Sequence, residues 1–378
     1  MKIILQAFIA FLITNCLPAA AQRIDTLAFS LNNKLLVFDG KINGQVTKFA
    51  FDTGAATSVV NSSNADNTTL RKTGKQKVKD SNAKIVKMQK AIIDSLSIGS
   101  YNFRNIEATA YDMPFLLCNN YYLLGADVIN KLHWQFNFTT QQVFISNEAF
   151  SAINSNYSLS FFTKNARHFT QLTVGGFVLK NCLIDFGFSG ILDIPNNTAE
   201  INTVITEKEK TGKVGNYLQS AMGLSSVSKG VEEKVLLLDS IQIGNAKAYN
   251  VKTAIREMVS LKIGLGFFSA FCTSLIINPD EKRYYFNKAI TPIPTDFGFD
   301  VKCSWENDKI IVVGKNLKLQ SAATNFSIGE EVASIDGKTA KDFGSICNFY
   351  KHVFNANRPT MVLEKVSGEK FTIGSSGL

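Results

Sequence analysis

Two acidic residues, each at the end of a short apolar run, dominate the chemistry this chain could carry. Asp52-Thr53-Gly54 follows Phe49-Ala50-Phe51, and Asp185-Phe186-Gly187 follows Cys182-Leu183-Ile184. Each carboxylate would be presented on a sharp turn after a buried strand. Two carboxylates a few ångströms apart cannot both ionise easily, so they share one proton. One can then take a proton from a bound water while the other gives a proton to a substrate oxygen. Asp52 and Asp185 are the candidate catalytic pair, and spacing alone does not assign base and acid between them. This chemistry needs no covalent intermediate, cofactor or metal. His133, His168 and His352 are widely separated and no Cys-x-x-Cys occurs, so neither a zinc site nor a Ser-His-Asp triad is expected.

The elements that must position the two residues recur. Residues 35–38 read as a strand, Asn43-Gly44 as a tight hairpin turn, and residues 46–51 as the return strand that delivers Asp52. Residues 169–174, the turn Gly175-Gly176 and residues 177–184 repeat this pattern and deliver Asp185. Further on, Ile92-Ile93-Asp94-Ser95-Leu96-Ser97-Ile98-Gly99 is echoed by Leu237-Leu238-Asp239-Ser240-Ile241-Gln242-Ile243-Gly244. Leu123-Leu124-Gly125-Ala126-Asp127 is echoed by Gly264-Leu265-Gly266-Phe267-Phe268. Each copy closes with a β-rich segment, residues 134–145 and 273–286. Asp94 and Asp239 read as turn or strand-end residues, and Asp127 as a helix cap. The pattern predicts a mainly β chain with two homologous lobes, residues 22–150 and 151–290, joined through residues 146–158. Helical signal is sparse.

Composition narrows the classes. The chain has 378 residues, 45% of them hydrophobic, enough for two or three domains. Lys2, the apolar run from Ile3 to Ile13 and Pro18-Ala19-Ala20-Ala21 read as a signal peptide over residues 1–21, implying a periplasmic or secreted protein. No later run is long enough to span a membrane. Cys118, Cys182, Cys272, Cys303 and Cys347 remain, an odd count that leaves at least one free thiol, with Cys182 and Cys272 read as buried apolar residues. The formal charge is +9, and much of the excess lies between Arg71 and Lys90. Export argues against nucleic acid as the partner, so this stretch reads as a solvated hairpin or as a surface attracting an acidic substrate.

Asp52-Thr53-Gly54-Ala55 with Leu123-Leu124-Gly125, and Asp185-Phe186-Gly187 with Gly264-Leu265-Gly266, resemble the pepsin/retropepsin clan of aspartic proteases. The resemblance implies an acid-protease β barrel in each lobe, with the active site between them and Asp52 and Asp185 as its dyad. It implies supporting roles for Thr53, Gly54, Gly187, Gly125 and Gly266, the last two in segments packed behind the Asp loops. It implies a flap around residues 71–88, centred on Gly74 or Ser81-Asn82, and a second flap within residues 211–230. A peptide or unfolded protein would be the substrate, and a monomer would suffice. The clan places Thr or Ser where this chain has Phe186. That hydroxyl bonds across to the other lobe. Thr53 can make its half of this grip; Phe186 must either pack below the loop or crowd the cleft. An inactive peptide-binding protein on the same fold is the alternative function.

Pro292 and Pro294 mark a boundary, and residues 293–378 have a different pattern. A β segment at 309–313 precedes Ser321-Ala322-Ala323, then Gly329-Glu330-Glu331-Val332 and the turn Asp336-Gly337. This looks like a bacterial PDZ domain, with a groove helix over 342–354, a closing strand at 361–364 and Phe297-Gly298-Phe299 lining the groove. The nearest likeness of the whole is therefore to bacterial retropepsin-like aspartyl proteases with a C-terminal PDZ domain. That likeness implies a C-terminal peptide as a further ligand.

Overall fold

Asn43 and Gly44 both adopt positive φ, 48° and 82°, as do Gly175 and Gly176 at 56° and 86°. These are the conformations a two-residue hairpin turn needs, and Asn and Gly tolerate them best. The two turns therefore fold the strand pairs Val37–Ile42 with Gln45–Phe51 and Arg167–Val174 with Phe177–Asp185. The structure is a computed structural model that describes residues 22–31, 35–63, 70–79, 85–220, 228–257, 260–289, 298–318, 322–353 and 358–374. The leader-like residues 1–21, Ser81-Asn82, part of the second flap segment (221–227), Pro292, Pro294, Phe297 and Ser321 lie outside the described residues.

The fold is mainly β. In the first half, Val37–Ile42, Gln45–Phe51, Tyr121–Leu124, Ser58–Val60, Tyr101–Ala110 and Ile85–Ile98 are neighbours in that order. Ile42 pairs with Leu96 and closes the ring. In the second half, Arg167–Val174, Phe177–Asp185, Lys262–Gly264, Leu192–Pro195, Ala246–Arg256 and Val231–Ile243 follow the same order, and Leu172 pairs with Ile243 to close it. The alternation of parallel and antiparallel pairings is identical in the two rings. Closure leaves neither barrel with an open edge.

The β-rich closing segments form a sheet of their own between the barrels. His133–Asn137 of the first half pairs with Cys272–Asn278 of the second, Phe136 opposite Leu275. Phe51, Trp134, Phe136, Phe186, Phe268 and Tyr284 sit in one continuous buried core, so the two lobes share an interior. Asp94 and Asp239 lie within strands rather than at turns, and each makes a surface ion pair, with Arg71 and Lys208 respectively. The helix Ala199–Lys210 is the longest among the described residues; it buries only Ile201 and Ile205, too narrow a stripe to read easily from sequence.

The C-terminal residues have a separate core around Val301, Ile310, Val312, Phe326, Phe349 and Leu363. The strand predicted at 309–313 runs Lys309–Asn316, the helix predicted over 342–354 is Ile346–Val353, and the strand predicted at 361–364 is Met361–Lys365. Gly344, at φ 64°, ends the short helix Ala340–Phe343, which is why the helix that follows starts at Ile346 rather than at 342. A strand pairing and a disulfide are among the ties that hold this unit to the rest. Lys309–Asn316 pairs with Val214–Gln219 of the second half, Tyr217 opposite Asn316. Cys118, in the helix Pro114–Asn119, is disulfide-bonded to Cys347 across 229 residues of sequence. Cys182, Cys272 and Cys303 are free thiols. A bridge closing so long a loop restricts the unfolded chain strongly. Cys118→Ser is expected to lower the unfolding free energy by about 2–4 kcal/mol. Urea denaturation checks this, and reductant should reproduce the shift in the unmodified chain.

Candidate active site

Asp52 and Asp185 leave their strands at matching points and meet where the barrels join. The Asp52 amide donates to the Leu124 carbonyl at 3.0 Å, which fixes where the strand ends and the loop begins. One carboxylate oxygen of Asp52 accepts from the amides of Gly54 at 2.8 Å and Ala55 at 3.0 Å. In the other lobe the Phe188 amide donates to the Asp185 backbone carbonyl at 3.1 Å, and the amides of Gly187 and Phe188 favour the ionised Asp185 carboxyl. The two carboxyl groups lie close enough for each to influence the other's ionisation. Each carboxyl lies over the glycine of the opposite loop: a methyl group on Gly54 would collide with Asp185, and one on Gly187 with Asp52. Glycine at both positions is what lets the carboxyls touch.

Thr53 is fully buried and crosses between lobes. Its hydroxyl donates to the Ile184 carbonyl at 2.6 Å and accepts from the Phe186 amide at 3.1 Å. Lobe two has no hydroxyl to return the interaction. Phe186 instead points below the loop, fully buried, stacked on Phe268 at 5.1 Å and edge-on to Phe51 at 5.6 Å. Of the two placements open to it, it takes the one that leaves the cleft clear.

Gly125 lies beside the Asp52 loop, in register with Leu124 opposite Phe51. In lobe two the residue paired with Asp185 is Gly264. The correspondence therefore runs Leu123-Leu124-Gly125 to Lys262-Ile263-Gly264, two residues earlier than the sequence echo suggested. Gly266 takes the place of Asp127 and packs against the carbonyls of Ser189 and Gly190. Asp127 is not a cap: Gly125 holds the N-cap position, and Asp127 accepts from the Ser58 hydroxyl at 3.1 Å.

The first flap is an antiparallel hairpin, Arg71–Lys79 with Ile85–Ile98. Lys79 pairs with Ile85, so Gly74 is not the tip but lies in the strand at a bulge. Met88 is buried and Gln76 bonds Thr109, so this face packs inward; Lys75, Lys77 and Lys87 are exposed on the other. Arg71 and Lys90 find acidic partners beyond the basic stretch, in Asp94 and Glu107. In lobe two, Val214–Gln219 with Val231–Ile243 occupies the equivalent place.

A chain of charges behind Asp185 was not anticipated. Lys262 Nζ is 3.9 Å from Asp185 Oδ2 and 4.0 Å from Asp193 Oδ2, and lies over the Phe188 ring at 4.1 Å. Asp193 is ion-paired with Arg256, which reaches Glu233 at 3.4 Å. The signal that could have revealed it is a lone acid in Ile191-Leu192-Asp193-Ile194 and a lone base before Ile263-Gly264.

Burial, then the charge of Asp185, raises the Asp52 carboxyl to about 7, against the amides of Gly54 and Ala55. Burial also raises Asp185, opposed chiefly by Lys262. A carboxyl whose pKa is higher folded than unfolded stabilises the fold fully below its unfolded value, and that contribution fades as pH rises through the folded value. Asparagine at position 52 does not titrate. The melting temperature of Asp52→Asn relative to the unmodified chain should therefore increase from about pH 4 to pH 7. Thermal melts across that range test it; a constant difference would contradict the raised carboxyl.

Residues 38–131 match the family model described as gag-polyprotein putative aspartyl protease. The match spans the Asp52 loop, the first flap and Gly125. No curated protein matches the chain. Among the described residues, no cluster of His, Cys, Asp or Glu could hold a metal ion. Among them also, no helix is long and apolar enough to cross a membrane.

Proposed function

We propose that the chain is an exported aspartic endopeptidase that hydrolyses peptides or unfolded proteins as a monomer. The observation that carries this reading is the contact of Asp52 and Asp185 across two barrels of the same topology. One proton shared by the pair leaves one carboxylate to take a proton from water and one carboxyl to protonate the scissile carbonyl oxygen. Water adds to the carbonyl carbon, and collapse of the resulting diol releases the amine once its nitrogen is protonated. The hairpin Arg71–Lys79 with Ile85–Ile98 would close over the substrate and exclude water. Export is supported by the leader-like residues 1–21 and by the Cys118–Cys347 bridge, which persists in oxidising compartments.

The C-terminal unit is proposed as a PDZ-like peptide-binding module. Its strand Val301–Glu306 lies beside the helix Ile346–Val353, with Trp305 against Phe349 at 5.9 Å, so a peptide could extend along that strand. Tethering such a peptide would raise its local concentration at the dyad.

The test is digestion of a denatured protein or peptide library from acidic to neutral pH, read by mass spectrometry with and without pepstatin. Pepstatin-sensitive products absent from Asp185→Asn support the reading. Peptide binding with no product at any pH points to the inactive peptide-binding alternative.

A further inference from the structure

We infer that Lys262 keeps Asp185 ionised and leaves the shared proton on Asp52, making Lys262 a positioning residue for the dyad. The inference rests on the peptidase reading for its catalytic meaning, in which Asp185 becomes the base toward water and Asp52 the acid toward the carbonyl.

The two lobes are built alike, so their differences at matched positions are informative. Strand register sets Lys262 against Leu123 of lobe one, and Asp193 against Val59. The lobe-one residues are apolar. Lobe two replaces them with an ammonium whose side chain is 11% exposed and a carboxylate that is 1% exposed. Charges this deep are costly unless paired, and removing one partner exposes that cost.

The pairing is uneven in a way that favours Asp185. Arg256 lies closer to Asp193 than Lys262 does and also reaches Glu233, so the Asp193 charge is matched without Lys262. Glu233 additionally feels Lys302 and Lys252. The Lys262 charge is thus left for Asp185, at 3.9 Å. Asp52 has amide donors, and among the described residues no cation is ion-paired with its carboxyl; the charged neighbour acting on it is Asp185. A positive charge on one side of an otherwise symmetric pair places the negative charge on that side. The Phe188 ring beneath the ammonium favours the charged lysine and limits its movement. Burial raises both carboxyls, and the cation opposing that rise acts on Asp185.

Neutralising Lys262 removes an attraction for the ionised dyad, so both ionisations of the pair should become harder. An opposite charge within about 4–6 Å shifts a carboxyl by about 1–3 pH units. In Lys262→Met both limbs of the pH profile of kcat/KM are expected to move up by about that amount, while Lys262→Arg keeps them in place. A packing role alone would lower activity or stability without moving the limbs. The second readout does not depend on turnover: carbon-13 NMR of the Asp side-chain carboxyls against pH. In the unmodified protein the carboxyl carbon of Asp185 should carry the lower transition and that of Asp52 the upper, and Lys262→Met should move the Asp185 transition upward. That shift supports the inference even if no peptide is cleaved, in which case the peptidase reading alone fails. An unmoved Asp185 transition, or Asp52 titrating first in the unmodified protein, overturns it.

Discussion

Asp52→Asn should lower kcat/KM for peptide hydrolysis by about 10⁴-fold, the upper end of what one acid–base group supplies. The substitution keeps shape and most of the local bonding. The amides of Gly54 and Ala55 still find an acceptor in the asparagine oxygen, so the loop should hold. What is lost is the proton shared with Asp185. With Lys262 beside it, Asp185 in the variant would stay ionised, and no acid would face the substrate carbonyl. Asp185→Asn removes the base and should be about as severe. The double variant should be little worse than either, because the two act as one unit. Initial-rate assays on a cleaved peptide measure all three. Hydrolysis by Asp52→Asn within tenfold of the unmodified chain would end the dyad assignment.

Phe186→Ala should destabilise the protein by about 3–5 kcal/mol, the usual cost of emptying a large aromatic site. The ring is fully buried between Phe51, Phe136 and Phe268, residues drawn from both lobes and from the sheet between them. These neighbours are held by their own strands and cannot collapse into the space. Phe186→Thr is the more pointed test, because it supplies the hydroxyl that lobe two lacks. It too should destabilise the chain, since the pocket beneath the loop is apolar and sized for a ring. The Phe186 amide already donates to Thr53, which leaves little for a second hydroxyl to add. Urea denaturation separates these outcomes. A Phe186→Thr variant as stable as the unmodified chain would mean that the ring is not what holds the second loop down.

Much of the positioning machinery can be read from local sequence. Asn43-Gly44 and Gly175-Gly176 adopt turn conformations that other residues resist, so two hairpins and the strand ends beyond them follow from neighbours in the chain. Repetition of the pattern pointed to two lobes, and the Asp loops at equivalent places pointed to Asp52 and Asp185. Correspondence by likeness failed at Gly264, because two nearby glycines match a Leu-Leu-Gly echo almost equally well. Only the pairing of Asp185 with Gly264 chooses between them.

What the tertiary structure decided involves residues distant in sequence. Phe186 could face the cleft or the core; its placement depends on Phe51, Phe136 and Phe268, which come together only when both lobes form. Cys118 had four possible partners, and the docking of the C-terminal unit selects Cys347. Lys262, Asp193, Arg256 and Glu233 lie on four different strands and carry no shared motif, so their network exists only once the second barrel closes. The chain by itself thus specified two carboxylates on matching turns, because turn chemistry and strand periodicity are local. That they touch, and that a lysine stands beside one of them, is set by barrel closure and lobe packing, which no local pattern encodes.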